Sequence, residues 1–363
     1  MRPHRHKPKL FAHSLFCWIF TAILFSFLAL NIHGVSPLEL MTYPSDGSGG
    51  KETVTNSQNE HEGNDNKPSL LCRVNHAKAP WSQLSQKQWR NHIKAFFLIW
   101  KRSPDRDNYG GGGFFHYFAL FVMIQELKPK VIVESGAFHG VGTWILRQTA
   151  GPEAKIIVLT PQEKEEIPHV DNGQNSLYLT GEKFVDFSDT TREQWEDWVG
   201  GIDNLAHTLL FFDDHQAGLK RLLKGRQLGF KHFAFDDNYP PTFGDSTALK
   251  QICSGIELWK YFGSTDIIYR DDFNGQIKSL SPLEFEAYQS QFWQNIAVYA
   301  EFPPAWDGPS RFPELNATIL PKIREPPIFT RTELLELGLD EKFLPWDKES
   351  SRYTFVLYAQ AKE

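Results

Sequence analysis

The stretch Val131–Trp144 reads V-I-V-E-S-G-A-F-H-G-V-G-T-W. Val131, Ile132 and Val133 have the length and composition of a strand buried on both faces. The run closes on an acid, Glu134, and passes into a turn carrying Gly136, Gly140 and Gly142. Thr143–Ala150 then has helical spacing, with Trp144, Ile145 and Leu146 as its apolar residues. Strand, glycine-rich turn and helix are the unit by which an open α/β sheet holds a nucleotide-like ligand. Glycines let the backbone approach the ligand, and the strand-tip acid meets a polar or cationic part of it. The dinucleotide fingerprint G-x-G-x-x-G is absent, because the glycines are spaced G-x-x-x-G-x-G.

The rest of the globular part repeats that unit. Trp81–Arg102 and Phe114–Leu127 are expected helices before the Val131 strand, separated by the turn N-Y-G-G-G-G at Asn108–Gly113. Ala154–Leu159, Phe184–Phe187, Thr208–Phe212 and Lys231–Phe235 are the following expected strands, and Ala217–Leu228 is an expected helix. Ser246–Phe262 and Leu283–Ala297 read as helical, Glu301–Pro313 as a structured loop and Tyr353–Ala359 as a last strand. Strand–helix alternation with polar residues at the strand ends predicts a Rossmann-like, doubly wound, mostly parallel α/β sheet with its site along that edge.

The N-terminus predicts a membrane anchor. Residues 1–9 carry Arg2, Arg5, Lys7 and Lys9 and no acid, and residues 10–32 are almost wholly apolar. About 20 apolar residues span a bilayer core. No Lys or Arg follows until Lys51, so the expected orientation leaves residues 1–9 in the cytosol. A cleaved signal peptide is the alternative; the length of the run and the want of a small-x-small site favour an anchor. Residues 33–79 are polar and read as a stem, which places residues 80–363 in a Golgi or endoplasmic reticulum lumen. There Cys72 and Cys253 either pair or remain free thiols, and Asn316-Ala317-Thr318 is a usable sequon. The formal net charge of −6 gives no case for a nucleic acid partner.

Two expected strands end in acids, Asp213-Asp214-His215 after the fourth and Asp236-Asp237-Asn238 after the fifth. Carboxylates and amide carbonyls are hard oxygen ligands suited to Mg²⁺, Mn²⁺ or Ca²⁺. Acids gathered at one sheet edge repel one another unless a cation or a pKa shift relieves them. The plainer reading is that these residues cap helices and make turns; two such groups after adjacent strands favour metal.

The E-S-G-A-F-H-G of the first turn, with Asp214-His215 and Asp237-Asn238 after the later strands, resembles the cation-dependent, catechol-type O-methyltransferases of the class I S-adenosylmethionine-dependent superfamily. That resemblance covers about Val131 to Asn238. It implies Asp214, Asp237 and Asn238 as metal ligands. It implies a donor cradle of Glu134, Gly136, Phe138, Gly140 and Gly142, with His215 against the adenine and Asp186 alongside. Asp213, His215 and His232 are the candidate bases. The sequence departs from the family at Thr160, where an acid for the ribose is usual, and at Ala217, where a catalytic lysine is usual. The long region at about 239–345 is the expected acceptor-binding part. Together with the anchor, the resemblance implies S-adenosylmethionine- and cation-dependent methylation of a glycan or other small hydroxylated acceptor. The alternatives are a Golgi glycosyltransferase, or a metal-binding relative, hydroxylase-like or non-catalytic, that transfers no methyl group.

Overall fold

The computed structural model describes residues 70–271 and 276–363. The expected anchor and most of the expected stem lie outside these residues. Among the described residues no helix is long and apolar enough to cross a membrane.

Seven strands form one sheet: β1 (Val131–Ser135), β2 (Lys155–Thr160), β3 (Ser176–Thr180), β4 (Thr208–Phe212), β5 (His232–Phe235), β8 (Ile296–Glu301) and β9 (Leu357–Ala361). A separate hairpin pairs β6 (Ile267–Asp271) with β7 (Gln276–Leu280). The sheet order is β3-β2-β1-β4-β5-β9-β8. The first five strands run parallel, and β9 is antiparallel to both its neighbours. The chain therefore winds outward from β1 in one direction and from β4 in the other. The gap between the tips of β1 and β4 is a topological switch point, where open sheets of this kind bind ligands.

Side chains of a strand alternate between faces, and the two cores follow that rule. Ile132, Leu209, Phe211 and Ala234 belong to one cluster, with α1 (Gln86–Trp100) and α2 (Phe114–Leu127). Val131, Val133, Leu210, Phe212, Phe233 and Phe235 belong to the other, with α4 (Arg192–Val199) and α5 (Gly218–Leu228). Helix α2 is buried from Phe114 through Ile124, so it reads as apolar all round and shows no polar face. Helix α3 (Val141–Ala150) follows the first glycine-rich turn as expected.

The expected strand at Phe184–Phe187 is not one. Those residues form the loop and short 3-10 turn after β3, and the strand is Ser176–Thr180. Phe187 is fully buried there, packed on Phe212 and Trp195, so its hydrophobicity anchors a loop. The expected helix at Leu283–Ala297 ends at Asn295, and the chain turns directly into β8. The last strand begins at Leu357; Tyr353–Val356 is an irregular lead-in, with Phe355 at φ 58°.

The folded part also starts earlier than residue 80. Val74 bridges to Tyr299, the Arg73 guanidinium grips Glu325 through both arms at 2.6–2.7 Å, and Cys72 is disulfide-bonded to Cys253. That bond closes a separation of 181 residues, a constraint worth about 5 kcal/mol by loop entropy. The turn at Asn108–Gly113 is held from the far end of the chain. Arg352 donates to the carbonyls of Asn108, Gly111 and Gly112, while Glu349 accepts from the N–H of Phe114.

Candidate metal centre

Strand alternation decides which acids meet. Phe211 faces α1 and α2, so Asp213, two residues on, faces the same side; Ala234 and Asp236 repeat this on β5. Their partner is His116 of α2, 0 % exposed. The Nδ1 of His116 lies 3.1 Å from Asp236 Oδ1. One ligating atom each from His116, Asp213 and Asp236 lies within 4.8 Å of the others. His116 makes no well-directed hydrogen bond through either ring nitrogen, a costly state for a fully buried imidazole. The cavity between the strand tips, lined by Asp213, Asp214, Asp236, Asp237 and Asn238, measures about 20 Å³. It is large enough for one water or one ion.

The electrostatics favour a cation there. Burial pushes the Asp213 carboxyl well up, and the adjacent Asp236, Asp237 and Glu134 push it further. Asp237 is raised in the same way by burial and by Asp236, with His215 opposing. Burial pushes Asp236 up too, but His116, Thr354 and the Asp237 backbone bring it down to about 2. The cluster thus keeps protons that a divalent ion would displace.

The expected ligands Asp214, Asp237 and Asn238 all line this cavity, and Asp214 and Asn238 have partners of their own. Asp214 faces the opposite side of the sheet. Its Oδ2 accepts from Arg221 Nη2 and Ser135 Oγ, both at 2.6 Å. Asn238 is 1 % exposed, and both ends of its amide are used: Oδ1 accepts from the Lys250 N–H, and Nδ2 donates to the Tyr299 hydroxyl. Behind it lies a wholly buried ion pair, Lys250–Glu301.

The candidate bases separate as well. Asp213 belongs to the cluster. His232 begins β5 and so stands at the opposite end of the sheet, where its Nδ1 meets the Tyr358 hydroxyl at 2.7 Å. Burial, with Lys231 and His207, lowers it to about 4. His215 sits at the β4 tip, half exposed, at φ 56°. Its Nδ1 is bonded to Asp245, and Asp237 Oδ2 lies 4.0 Å away. The Asp245 contact raises it to about 9, so near neutral pH it is a cation and a proton donor.

The first turn is shaped by the protein's own packing. A Cβ on Gly136 (φ 93°) would run into the Asp213 carbonyl oxygen, and one on Gly140 (φ 79°) into that of His169. A Cβ on Gly142 would meet the Glu134 carboxyl. Glu134 itself is turned inward, 1 % exposed, accepting from Thr143, and burial raises it to about 8. It fastens the β1 tip to the start of α3 instead of facing a ligand. Phe138 does present a face, 48 % exposed and stacked on His139 with ring centres 3.8 Å apart. Its φ of 42° is unusual for a bulky residue. Asp186 is committed to Arg221, Gln216 and the Ser188 N–H. Thr160 and Ala217, the two departures, are 5 % and 1 % exposed.

Two participants escaped the sequence reading. His116 is an imidazole inside F-F-H-Y-F-A-L, and a polar ring in an otherwise apolar buried helix was the available signal. Asp245 lies in a loop after Gly244 and carries no local signal.

No family model matches the chain, and no curated protein sequence matches it. Among solved structures it is similar to the SAH-bound methyltransferase PaMTH1 of Podospora anserina, at 14 % identity and TM-score 0.29, over 49 % of this chain and 81 % of that one. It is similar to a structure described as cmcI-D160 with Mg and SAM, at 16 % identity and TM-score 0.29, over 55 % and 69 %. A Bacillus cereus O-methyltransferase in complex with SAH matches at 12 % identity and TM-score 0.27, over 52 % and 89 %. Overlaps this loose carry no argument; the Rossmann-like sheet, of the kind expected from the class I methyltransferase resemblance, stands on its own strand order.

Proposed function

We propose that this protein is a divalent-cation-dependent O-methyltransferase whose acceptor is a hydroxyl of a glycan or related small molecule. The observation that carries the reading is the meeting of His116, Asp213 and Asp236, with Asp237 beside them, at the neighbouring tips of β4 and β5, next to the switch point. His116, Asp213 and Asp236 would hold the ion, with Asp237 turned toward the acceptor side. A bound Mg²⁺ or Mn²⁺ supplies Lewis acidity to two neighbouring acceptor oxygens, and S-adenosylmethionine supplies the methyl group. The chain's own part is placement. The turn that Gly136 presses against Asp213 sets the donor side of the pocket next to the acids, with Phe138 and the cationic His215 facing outward. The Cys72–Cys253 bond supports an oxidising compartment, in keeping with a lumenal domain behind an anchor at residues 10–32.

The inward turn of Glu134 favours a second reading, a metal-binding relative that transfers no methyl group. The two part on one experiment. Full-length protein is incubated with labelled S-adenosylmethionine, a glycan panel and Mg²⁺, with and without chelator. Methyl transfer in Mg²⁺, lost in chelator and reduced on the order of 100-fold in Asp236→Asn, is the expected result. Undiminished transfer in chelator removes the ion from the reaction. Cation binding with no calorimetric trace of S-adenosylmethionine binding leaves the second reading standing.

A further inference from the structure

Among the described residues, one cation beside the acid cluster makes no salt bridge. Arg311 is exposed, and its guanidinium carbon lies 5.1 Å from the ring centre of Tyr239 and 4.7 Å from that of Phe312. The two rings meet edge to face at 5.4 Å, and Tyr239 is 1 % exposed, so they form a fixed seat. Tyr239 is tied to the β5 tip: its N–H donates to the Asp237 carbonyl at 2.7 Å. Arg311 is thus anchored just outside the proposed cation site. Nearby arginines are spent on carboxylates, Arg324 on Asp307 and Arg331 on Asp347. Among the described residues no carboxylate pairs with Arg311. A guanidinium held flat on aromatic rings keeps its N–H edge for an incoming oxyanion, which it binds in a two-pronged fashion. Beside Arg311 lies a cavity of about 790 Å³ lined by Ser310, Phe312, Leu315 and Thr330, ample for a further part of a glycan.

We infer that Arg311 recognises an oxyanion on the acceptor, a carboxylate or a sulfate, carried close to the hydroxyl that meets the cation. This rests on the hydroxyl-acceptor reading above and narrows it to acidic glycans. The seat accounts for specificity: a neutral sugar leaves the guanidinium to water, whereas an acidic one gains a charge-assisted pair beside aromatic faces.

The test uses the full-length chain with Mn²⁺ and three probes: a methyl glucuronoside, a sulfated methyl galactoside and the neutral methyl glucoside. Calorimetric titration should show at least one charged probe binding about tenfold or more tighter than the neutral one. Whichever charged probe wins identifies the oxyanion. In Arg311→Ala that preference should vanish, in Arg311→Lys part of it should survive, and Mn²⁺ affinity should stay within about twofold in both. Equal binding of all three probes, binding of none, or a preference that survives Arg311→Ala overturns the inference. Failure of Mn²⁺ itself to bind counts against the cation-dependent reaction instead, and the charge preference is still read on the metal-free protein.

Discussion

Asp213 and Asp214 are adjacent in sequence and have different partners. The period of a strand puts Asp213 with His116 and Asp236 on one face and Asp214 with Arg221 and Ser135 on the other. The same parity was legible in the sequence, because Leu209 and Phe211 alternate with Leu210 and Phe212 ahead of the acids. Isosteric changes separate the two residues. Asp213→Asn should weaken Mn²⁺ binding on the order of 100-fold, and should leave the metal-free fold as stable or more so, since it removes one of several repelling acids. Asp214→Asn should leave Mn²⁺ affinity within about twofold and cost about 1–3 kcal/mol, the penalty of a weakened buried partner for Arg221. Paired Mn²⁺ titrations and urea melts read both, and a loss of Mn²⁺ binding in Asp214→Asn would return the metal to the face first expected.

Between elements, the β4 tip is fastened by one buried arginine. Arg221 of α5 is 1 % exposed and bridges Asp186, Ser188 and Asp214, so it joins the loop after β3 to the end of β4. Burial pushes Asp186 up, and the Arg221 guanidinium overrides it, holding that carboxyl well below the usual range. Sequence reading found the helix Ala217–Leu228 but not the burial of Arg221, because a buried arginine and an exposed one look alike until the acids that face it are known. The misplaced third strand has a related cause: F-V-D-F is strand-like in composition, yet Asp186 is pinned and Phe187 is sunk in the core. Arg221→Met should cost about 3–5 kcal/mol at neutral pH, because two acids lose their buried counterion. A depressed carboxyl contributes stability above its unfolded pKa and loses it as pH falls through its folded pKa. The cost of Arg221→Met should therefore shrink below about pH 4, and urea midpoints across pH measure it; a cost independent of pH would mean that the arginine acts by packing alone.

Across the whole molecule, the doubly wound sheet places its most expensive residues at one edge, and that cost has a sign. The mostly parallel sheet was legible because four of its five parallel strands announce themselves by apolar runs ending in polar residues. The edge strand β8 was not, since no turn residue separates it from the helix before it, and the histidine of α2 reaches the edge only through packing. Asp213, Asp237 and Glu134 all hold protons in the fold that the unfolded chain gives up near pH 4. The native state then binds more protons than the unfolded one, so the metal-free protein loses stability as pH rises from about 4 toward 8. A divalent ion displaces the protons of Asp213 and Asp237 and reverses that part of the loss. At a free ion concentration about 100 times its dissociation constant the gain is about 2.7 kcal/mol, a rise in Tm on the order of 5–10 °C for a domain of this size. At a fixed Mn²⁺ concentration the rise should be larger at pH 8 than at pH 6, because binding tightens as fewer protons must be displaced. Melting curves with Mn²⁺ and with chelator at both values decide the matter: a shift equal at the two pH values would mean that the ion binds away from the proton-holding acids, and the switch-point site would lose its claim.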